Sequence, residues 1–458
     1  MQFPDASKPT AAVFLSFTQS NAETIVTTYQ ALKNLNQGIR LNLLVTQKDM
    51  NWLASNNTYC PQSNNSREIQ YRCQLIEAIA DKSIVNLIFF SRPENERYLQ
   101  DYLQFYSVDG KTTIFPIVNG YETEDFFDPS GKILPKYSIA NDVANACEIP
   151  QSKLSMTKIM GSSETMGGNL ESMPGNIIML GTNTKIQNIE KMSDAELEAL
   201  LRKNYPATIT DAQVAELLEV GKNSIITAKQ QRALLNGLNV QAPDTNLTLS
   251  GHADEVFSIV KSNAKCGYTV LMPSSDLALQ MLASETIVER KEKCLSTGGP
   301  SLKPSFPNDP SKLSDHVQAG CVGFRGLTYS EILQDQEFIA LNKELELTSQ
   351  KNERLIRNAI KSQCAEPDIL KLPYLIKKAP WGENELITPN PVNALVITPF
   401  DKKNSIYINN PTFVKSFDEY IGREMSKRQI EMHLVLDSDY FFGLGGLHCG
   451  SSTIQICR

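Results

Sequence analysis

The chain has 458 residues, enough for one large domain or two to three ordinary ones, and its 41% hydrophobic and 21% charged content is that of a globular protein. Its 44 Lys+Arg against 51 Asp+Glu leave a net charge of −7, with no basic tract of the kind that follows a phosphate backbone, so nucleic acid is not an expected partner. The longest apolar runs, such as Ile84-Val-Asn-Leu-Ile-Phe-Phe90, are strand-sized and fall short of the ~20 residues that cross a bilayer, so no membrane span is expected.

In chain order, residues 11–16 read as a buried strand, 22–36 have the spacing of an amphipathic helix through Ile25, Tyr29 and Leu32, and 40–46 read as a second strand. A polar loop from Cys60 to Arg67 leads to a helix over 68–80 and a buried strand over 84–90. Short strands follow near 111–118 and 124–128, then a helix over 137–148 and an apolar strand over 176–180. Residues 192–238 form a helical excursion that opens on Ser193 as N-cap with Asp194 and Glu196 in the first turn. A strand at 268–272, a Ser/Pro/Gly/Lys-rich loop at 295–318, a second helical block at 328–363, and strands at 393–398 and 433–436 complete the pattern. Strands alternating with helices indicate an α/β fold, and with no internal repeat or long linker the chain reads as one domain over 1–458.

Nine cysteines are present. Cys60 and Cys73 flank one polar loop, Cys294 and Cys321 another, and Cys457 closes the chain; eight cysteines besides Cys449 permit four disulfides without requiring them. Asn56-Asn-Thr58, Asn64-Asn-Ser66 and Asn246-Leu-Thr248 fit the glycosylation acceptor pattern, which matters only in a eukaryotic secretory route. The first residues have neither the basic nor the apolar region of a signal peptide. The cysteine placement leans toward an oxidising, exported setting.

Reactive side chains stand in four compact settings. Cys449 lies in Gly445-Gly-Leu-His-Cys-Gly-Ser-Ser452, where it could be a nucleophile, a disulfide partner or a buried thiol. His252 and Asp254 follow Gly251; in an extended segment they would face one side, at a helix start Asp254 would only complement the dipole. Asp101 lies among large side chains, and Asn169 and Glu171 follow two glycines; an exposed helix and a plain turn are the alternatives there. No Cys-x-x-Cys or His-x-x-x-His pair suggests a zinc site. A single Cys with a distant His suits a thiol nucleophile with a general acid/base, but the thiol's place near the C-terminus fits papain-like proteolysis poorly. Separate carboxylates suit a planar guanidinium, which they bind in bidentate fashion.

Gly251-His-Ala-Asp-Glu255 together with Leu447-His-Cys-Gly450 resembles the paired signatures of guanidino-group-modifying enzymes, the pentein superfamily, and most of all the catalytic domain of protein-arginine deiminases. Tyr98-Leu-Gln-Asp101, Gly168-Asn-Leu-Glu171, Asp368-Ile-Leu-Lys-Leu-Pro373 and Asn390-Pro-Val-Asn-Ala-Leu-Val396 resemble further motifs of that domain in the same order, so the likeness runs over about residues 80–458. The resemblance implies a five-bladed α/β propeller, here with helical insertions near 192–238 and 328–363. Immunoglobulin-like domains precede the animal catalytic domain; residues 1–96 instead read as α/β, so none is expected here. It implies a hydrolase converting arginine guanidinium to citrulline, with Cys449 as nucleophile, His252 as general acid/base and Asp101 and Asp254 gripping the guanidinium. Tyr98 stands where the family has a Trp against the substrate, and Asn169 is a further binding position. His448 is given no catalytic role and is expected to be structural. Calcium is implied through Gln100, Gln104, Leu170 and Glu171, although Gln104 replaces a Glu. The family's backbone-gripping Arg residues have no counterpart in Val118-Asn-Gly-Tyr-Glu-Thr-Glu124, so the expected partner is an arginine-containing protein or peptide, or a small guanidine such as free arginine or agmatine. Amidino transfer is the alternative reaction, and a non-catalytic binding or effector protein the alternative class.

Overall fold

The computed structural model describes residues 5–18, 21–56, 67–89, 104–108, 111–115, 143, 146–147, 167–182, 191–204, 211, 214–215, 218, 235, 237–248, 251–295, 310–323, 326–378, 384–401, 404–436 and 446–455. Their strands form five main sheets, four of which share one plan: an antiparallel pair, then a third strand parallel to the second.

In the first sheet the chain closes on itself. Ser451–Gln455 pairs antiparallel with Thr10–Ser16, with Leu15 opposite Ser451; Arg40–Val45 and then Val85–Phe89 follow in parallel. Val13, Phe14 and Leu15 are all fully buried, as expected of an inner strand covered on both faces. The second sheet is the antiparallel pair Gln104–Val108 and Lys111–Phe115. The third joins Leu170–Met173, Ile177–Leu180 and Asn239–Gln241. The fourth joins Ser258–Lys261, Tyr268–Ser274 and Asp368–Pro373. The fifth joins Leu395–Ile397, Ser405–Asn409 and Ile430–Leu434.

Local chemistry sets the helices between them. Glu196 accepts from the Ser193 backbone N–H at 2.7 Å while its own N–H reaches Ser193 Oγ at 3.4 Å, the reciprocal cap that starts Asp194–Asn204. Thr328 and Glu331 repeat the arrangement at the head of Tyr329–Gln334. Asp335 then caps Gln336–Ile360 through the N–H of Phe338 at 3.0 Å. The expected 295–318 loop is a loop only in part: Pro310–Gln318 is a helix, with proline at its first position, where a missing N–H costs nothing. His316, buried on that helix, accepts the N–H of Leu295 at 2.9 Å.

The sheets pack through shared cores. One apolar cluster joins the third and fourth sheets through Met173, Ile177, Ile259 and Val270, and encloses Ala253, Val256 and Phe257. Another joins the fourth and fifth through Leu271, Leu370, Val396 and Tyr407. A third joins the fifth to the first, and Leu447 is part of it. Phe105 of the second sheet lies with its ring 5.2 Å from that of Phe14 in the first. Disulfides Cys294–Cys321 and Cys266–Cys364 each tie a partly exposed residue to a buried one, and Cys73 is disulfide-bonded too. No described helix is long and apolar enough to cross a membrane.

Candidate active site

Five side chains of the site stand ahead of the first strand of their sheet. Asn169 precedes Leu170–Met173, His252 and Asp254 precede Ser258–Lys261, Asn393 precedes Leu395–Ile397, and Cys449 precedes Ser451–Gln455. The apolar clusters between neighbouring sheets hold these segments, and His252, Asp254, Asn393 and Cys449 come together there.

His252 is extended (φ −99°, ψ 152°) and Asp254 sits in the single 3-10 turn Ala253–Glu255 that follows. The segment thus combines the two conformations open to it from sequence. The His252 backbone N–H reaches Glu255 Oε2 at 3.4 Å, which holds the turn closed. Both side chains are buried, His252 4% and Asp254 1% exposed. Glycine makes this possible next door: a Cβ on Gly168 would lie 2.7 Å from His252 Nδ1 and 3.2 Å from Asp254 Oδ2.

Leu447, wholly buried in the core between the first and fifth sheets, anchors the closing loop. Two residues on, Cys449 Sγ lies 3.1 Å from Asp254 Oδ2 and is not in a disulfide. Donor atoms of His252, Asp254 and Cys449 all lie within 4.8 Å of one another. Asn393 donates from Nδ2 to Cys449 Sγ at 3.1 Å and accepts the Cys449 N–H on Oδ1 at 3.2 Å. Neither ring nitrogen of His252, nor Asp254 Oδ1, has a hydrogen-bond partner among the described residues.

The two histidines sit in opposite electrostatic settings. Burial pushes His252 below its ordinary 6.5, with Asp254 only partly opposing, so its ring is neutral at neutral pH. Burial also works against charge on His448, but Glu171 and Asp254 overcome it and lift His448 to about 9, so this ring is an imidazolium. Its Nδ1 lies 3.1 Å from Asp254 Oδ2 and 3.7 Å from Glu171 Oε1. Both acids come from remote parts of the chain, so no local pattern announces this contact.

Asn169, 1% exposed, donates from Nδ2 to the carbonyl of Gly181 at 3.0 Å, a bond across its own hairpin. Tyr98, Gln100 and Asp101 lie outside the described residues, as do the stretches 118–124 and 60–66. Gln104 opens the strand of the second sheet, its side chain outside the description. Of the donors implied for calcium, the described ones are the Leu170 carbonyl and the Glu171 carboxylate, and that carboxylate faces the His448 imidazolium. Asp254 brings a second carboxylate to this place, with donor atoms of Glu171, Asp254 and His448 all within 4.8 Å of one another, and a hard divalent ion favours such anionic oxygens.

A family model for protein-arginine deiminase (PAD) matches residues 216–457, just over half of the chain. The Tyr98–Asp101 and Gly168–Glu171 motifs lie ahead of the matched stretch. Among solved structures the chain is similar to an agmatine deiminase of C. jejuni (11% identity, 100% of this chain and 96% of that one covered, TM-score 0.47). It is also similar to an agmatine deiminase of Enterococcus faecalis (10% identity, 99% and 96% covered, TM-score 0.47). A dimethylarginine dimethylaminohydrolase adduct shows a further likeness (8% identity, 97% and 100% covered, TM-score 0.35). No curated protein matches the chain.

Proposed function

We propose that this chain, which belongs to the protein-arginine deiminase family, is a hydrolase that converts the guanidinium of arginine to a ureido group and releases ammonia. The observation that carries the reading is the buried convergence of Cys449 Sγ on Asp254 Oδ2 at 3.1 Å, with His252 within 4.8 Å. We further propose that the five sheets are blades of a propeller around this site. The repeated placement of site residues ahead of each first strand supports it, and Asp101 holds the corresponding place ahead of Gln104–Val108.

A guanidinium carbon is a poor electrophile, since resonance and charge protect it. Asp254 and Asp101 hold its nitrogens and set the carbon against the sulfur. Asp254 Oδ1 is buried without a partner among the described residues, so a substrate N–H would satisfy it. Cys449 attacks as thiolate, forming a C–S bond and a tetrahedral adduct. The thiol proton passes to the neutral His252, which delivers it to the departing nitrogen, and ammonia leaves. Water, deprotonated by His252, adds to the thiouronium carbon; the C–S bond breaks with its electron pair on sulfur, the added hydroxyl gives its proton to that thiolate, and the ureido product leaves. The imidazolium of His448 stays in place throughout, balancing the acids of the site. No step is assigned to calcium.

Arginine within a protein is the first substrate we propose, on family grounds. Free arginine or agmatine is the second, favoured by the Arg-free, acidic stretch 118–124, whose sequence suits a small cation better than a peptide backbone. The disulfides accord with the exported setting inferred from the cysteines.

The test is incubation with an arginine peptide, free arginine and agmatine, each with calcium and with EGTA, reading ureido product and ammonia. Wild type should form both in equal amounts and Cys449→Ala neither. Full activity of Cys449→Ala would end this mechanism. A new guanidine on an added amine, without ammonia, would establish transfer in place of hydrolysis. No product from any substrate would leave the effector reading.

A further inference from the structure

The 390–396 run supplies none of the roles above, yet it places one side chain directly on the sulfur. Asn393 is 1% exposed. Its Oδ1 accepts the N–H of Cys449 at 3.2 Å, and an N–H donor there fixes which end of the amide is oxygen. The other end, Nδ2, therefore points its protons at Cys449 Sγ, 3.1 Å away. The Asn393 carbonyl also accepts the N–H of His448 at 3.4 Å.

The amide is held from both sides. Asn390 accepts the N–H of Asn393 on its carbonyl at 3.3 Å and the N–H of Val392 on Oδ1 at 3.1 Å. Its Nδ2 donates to the carbonyl of Glu255 at 2.9 Å, which ties the turn to the His252–Asp254 segment. On the other side the closing loop wraps so tightly that a Cβ on Gly446 would lie 2.3 Å from Asn393 Oδ1. A donor fixed this firmly cannot turn away when the charge on sulfur changes.

Taking Cys449 as the nucleophile of the proposed reaction, we infer that Asn393 is a catalytic residue: its amide N–H holds the thiolate, favouring ionised Cys449 and fixing the direction of attack. Hydrogen bonds to an ionised partner are roughly twice as strong as neutral ones, so this donor stabilises the thiolate more than the thiol. It matters more here because Asp254 Oδ2 also lies 3.1 Å from the sulfur and opposes a negative charge on it. In the reaction the same N–H would follow the sulfur from thiolate to thioether and weaken as the charge disperses.

The experiment titrates Cys449 by its rate of iodoacetamide alkylation against pH, with Cys449→Ser subtracted to remove the other thiols. Asn393→Asp keeps the size and the acceptor for the Cys449 N–H but turns a carboxylate oxygen toward the sulfur. The thiol should then titrate about one unit or more higher, with kcat falling about tenfold or more at neutral pH and KM little changed. Asn393→Ala should shift it in the same direction by less. A titration unmoved in folded Asn393→Asp overturns the inference.

Should the variants fail to fold, the wild type decides. With asparagine side chains nitrogen-labelled, one amide resonance should move with the thiol titration and cease to do so in Cys449→Ser; no such resonance overturns the inference. Alkylation needs no turnover, so the two failures separate. A shifted titration without any guanidino turnover sinks the proposed function alone, and turnover with an unmoved titration sinks only the role of Asn393.

Discussion

Gly168 is the most direct probe of whether His252 and Asp254 do the chemistry. Its backbone lies outside the left-handed region, so alanine is tolerated there and the effect is steric alone. The added carbon would stand 2.7 Å from His252 Nδ1 and 3.2 and 3.3 Å from the two Asp254 oxygens. Relief to ordinary contact near 3.5 Å needs a movement of about 0.8 Å of the imidazole. A misplacement of about 1 Å at reacting groups costs on the order of 10²-fold in rate, while overpacking costs about 1–3 kcal/mol of stability. Gly168→Ala should therefore remain folded in a urea titration, losing stability in that range, while kcat for ureido formation drops about a hundredfold. Gly38→Ala serves as control: its φ of +72° strains alanine, but among the described residues nothing lies within 4 Å of the added carbon. It should lose stability and keep its rate. Wild-type turnover by Gly168→Ala would refute the placement of the reaction at His252 and Asp254.

Two further outcomes follow from the charge on His448. Its folded pKa of about 9 lies above the ordinary 6.5, so its contribution to stability is fully present below 6.5 and is lost as pH rises through 9. At ~1.4 kcal/mol per unit this is about 3 kcal/mol, to be seen as a fall in urea-unfolding free energy over that window and absent from His448→Gln; equal slopes in both proteins would contradict it. Asp254→Asn should lower the His448 titration seen by NMR, because one of its two acidic neighbours loses its charge, and should cut kcat/KM by about 10²-fold or more; an unmoved His448 titration would show that Asp254 does not hold it.

Much of the architecture was open to reading because its signals are local. Alternating apolar runs marked strands near 11–16, 40–46, 84–90 and 268–272, and the reciprocal cap at Ser193 and Glu196 marked a helix start. Pro310–Gln318 escaped because its composition is that of a loop; its tie to the rest of the fold, the buried His316 accepting from Leu295, is a contact that composition does not show. The pair Cys294–Cys321 joins two cysteines whose flanking of one loop favoured a bridge without requiring it, whereas Cys266–Cys364 joins residues 98 apart that no local pattern connects. The site divides the same way. Cys449, His252 and Asp254 were legible as reactive types in compact settings, and the structure brings them together. The charge on His448 was not, since it arises from Asp254, 194 residues away, and from Glu171. Nor was the bond from Asn393 to the sulfur, because the run that carries it looked only like a motif leading into a strand.

The position of the nucleophile in the sheet makes one more outcome testable. Among the described residues Ser451–Gln455 is an edge of the first sheet, paired with Thr10–Ser16. The partner strand is inner, flanked also by Arg40–Val45, and Val13 and Leu15 lie in the main core. A strand held by one neighbour opens with less free energy than the global transition, so this strand should detach before the sheet melts. Cys449 stands two residues ahead of that strand, and its burial to 5% depends on the loop staying closed. Activity should then be lost, and alkylation of Cys449 accelerate, at urea concentrations where far-ultraviolet circular dichroism still reports the native fold. Leu447 opposes the opening, because its full burial ties the loop to the core between the first and fifth sheets. Leu447→Ala leaves a cavity worth about 2–5 kcal/mol and should widen the gap between the two transitions by weakening that tie. Coincident loss of activity and of dichroism in both proteins would mean that the closing strand is no weaker than the sheet it completes.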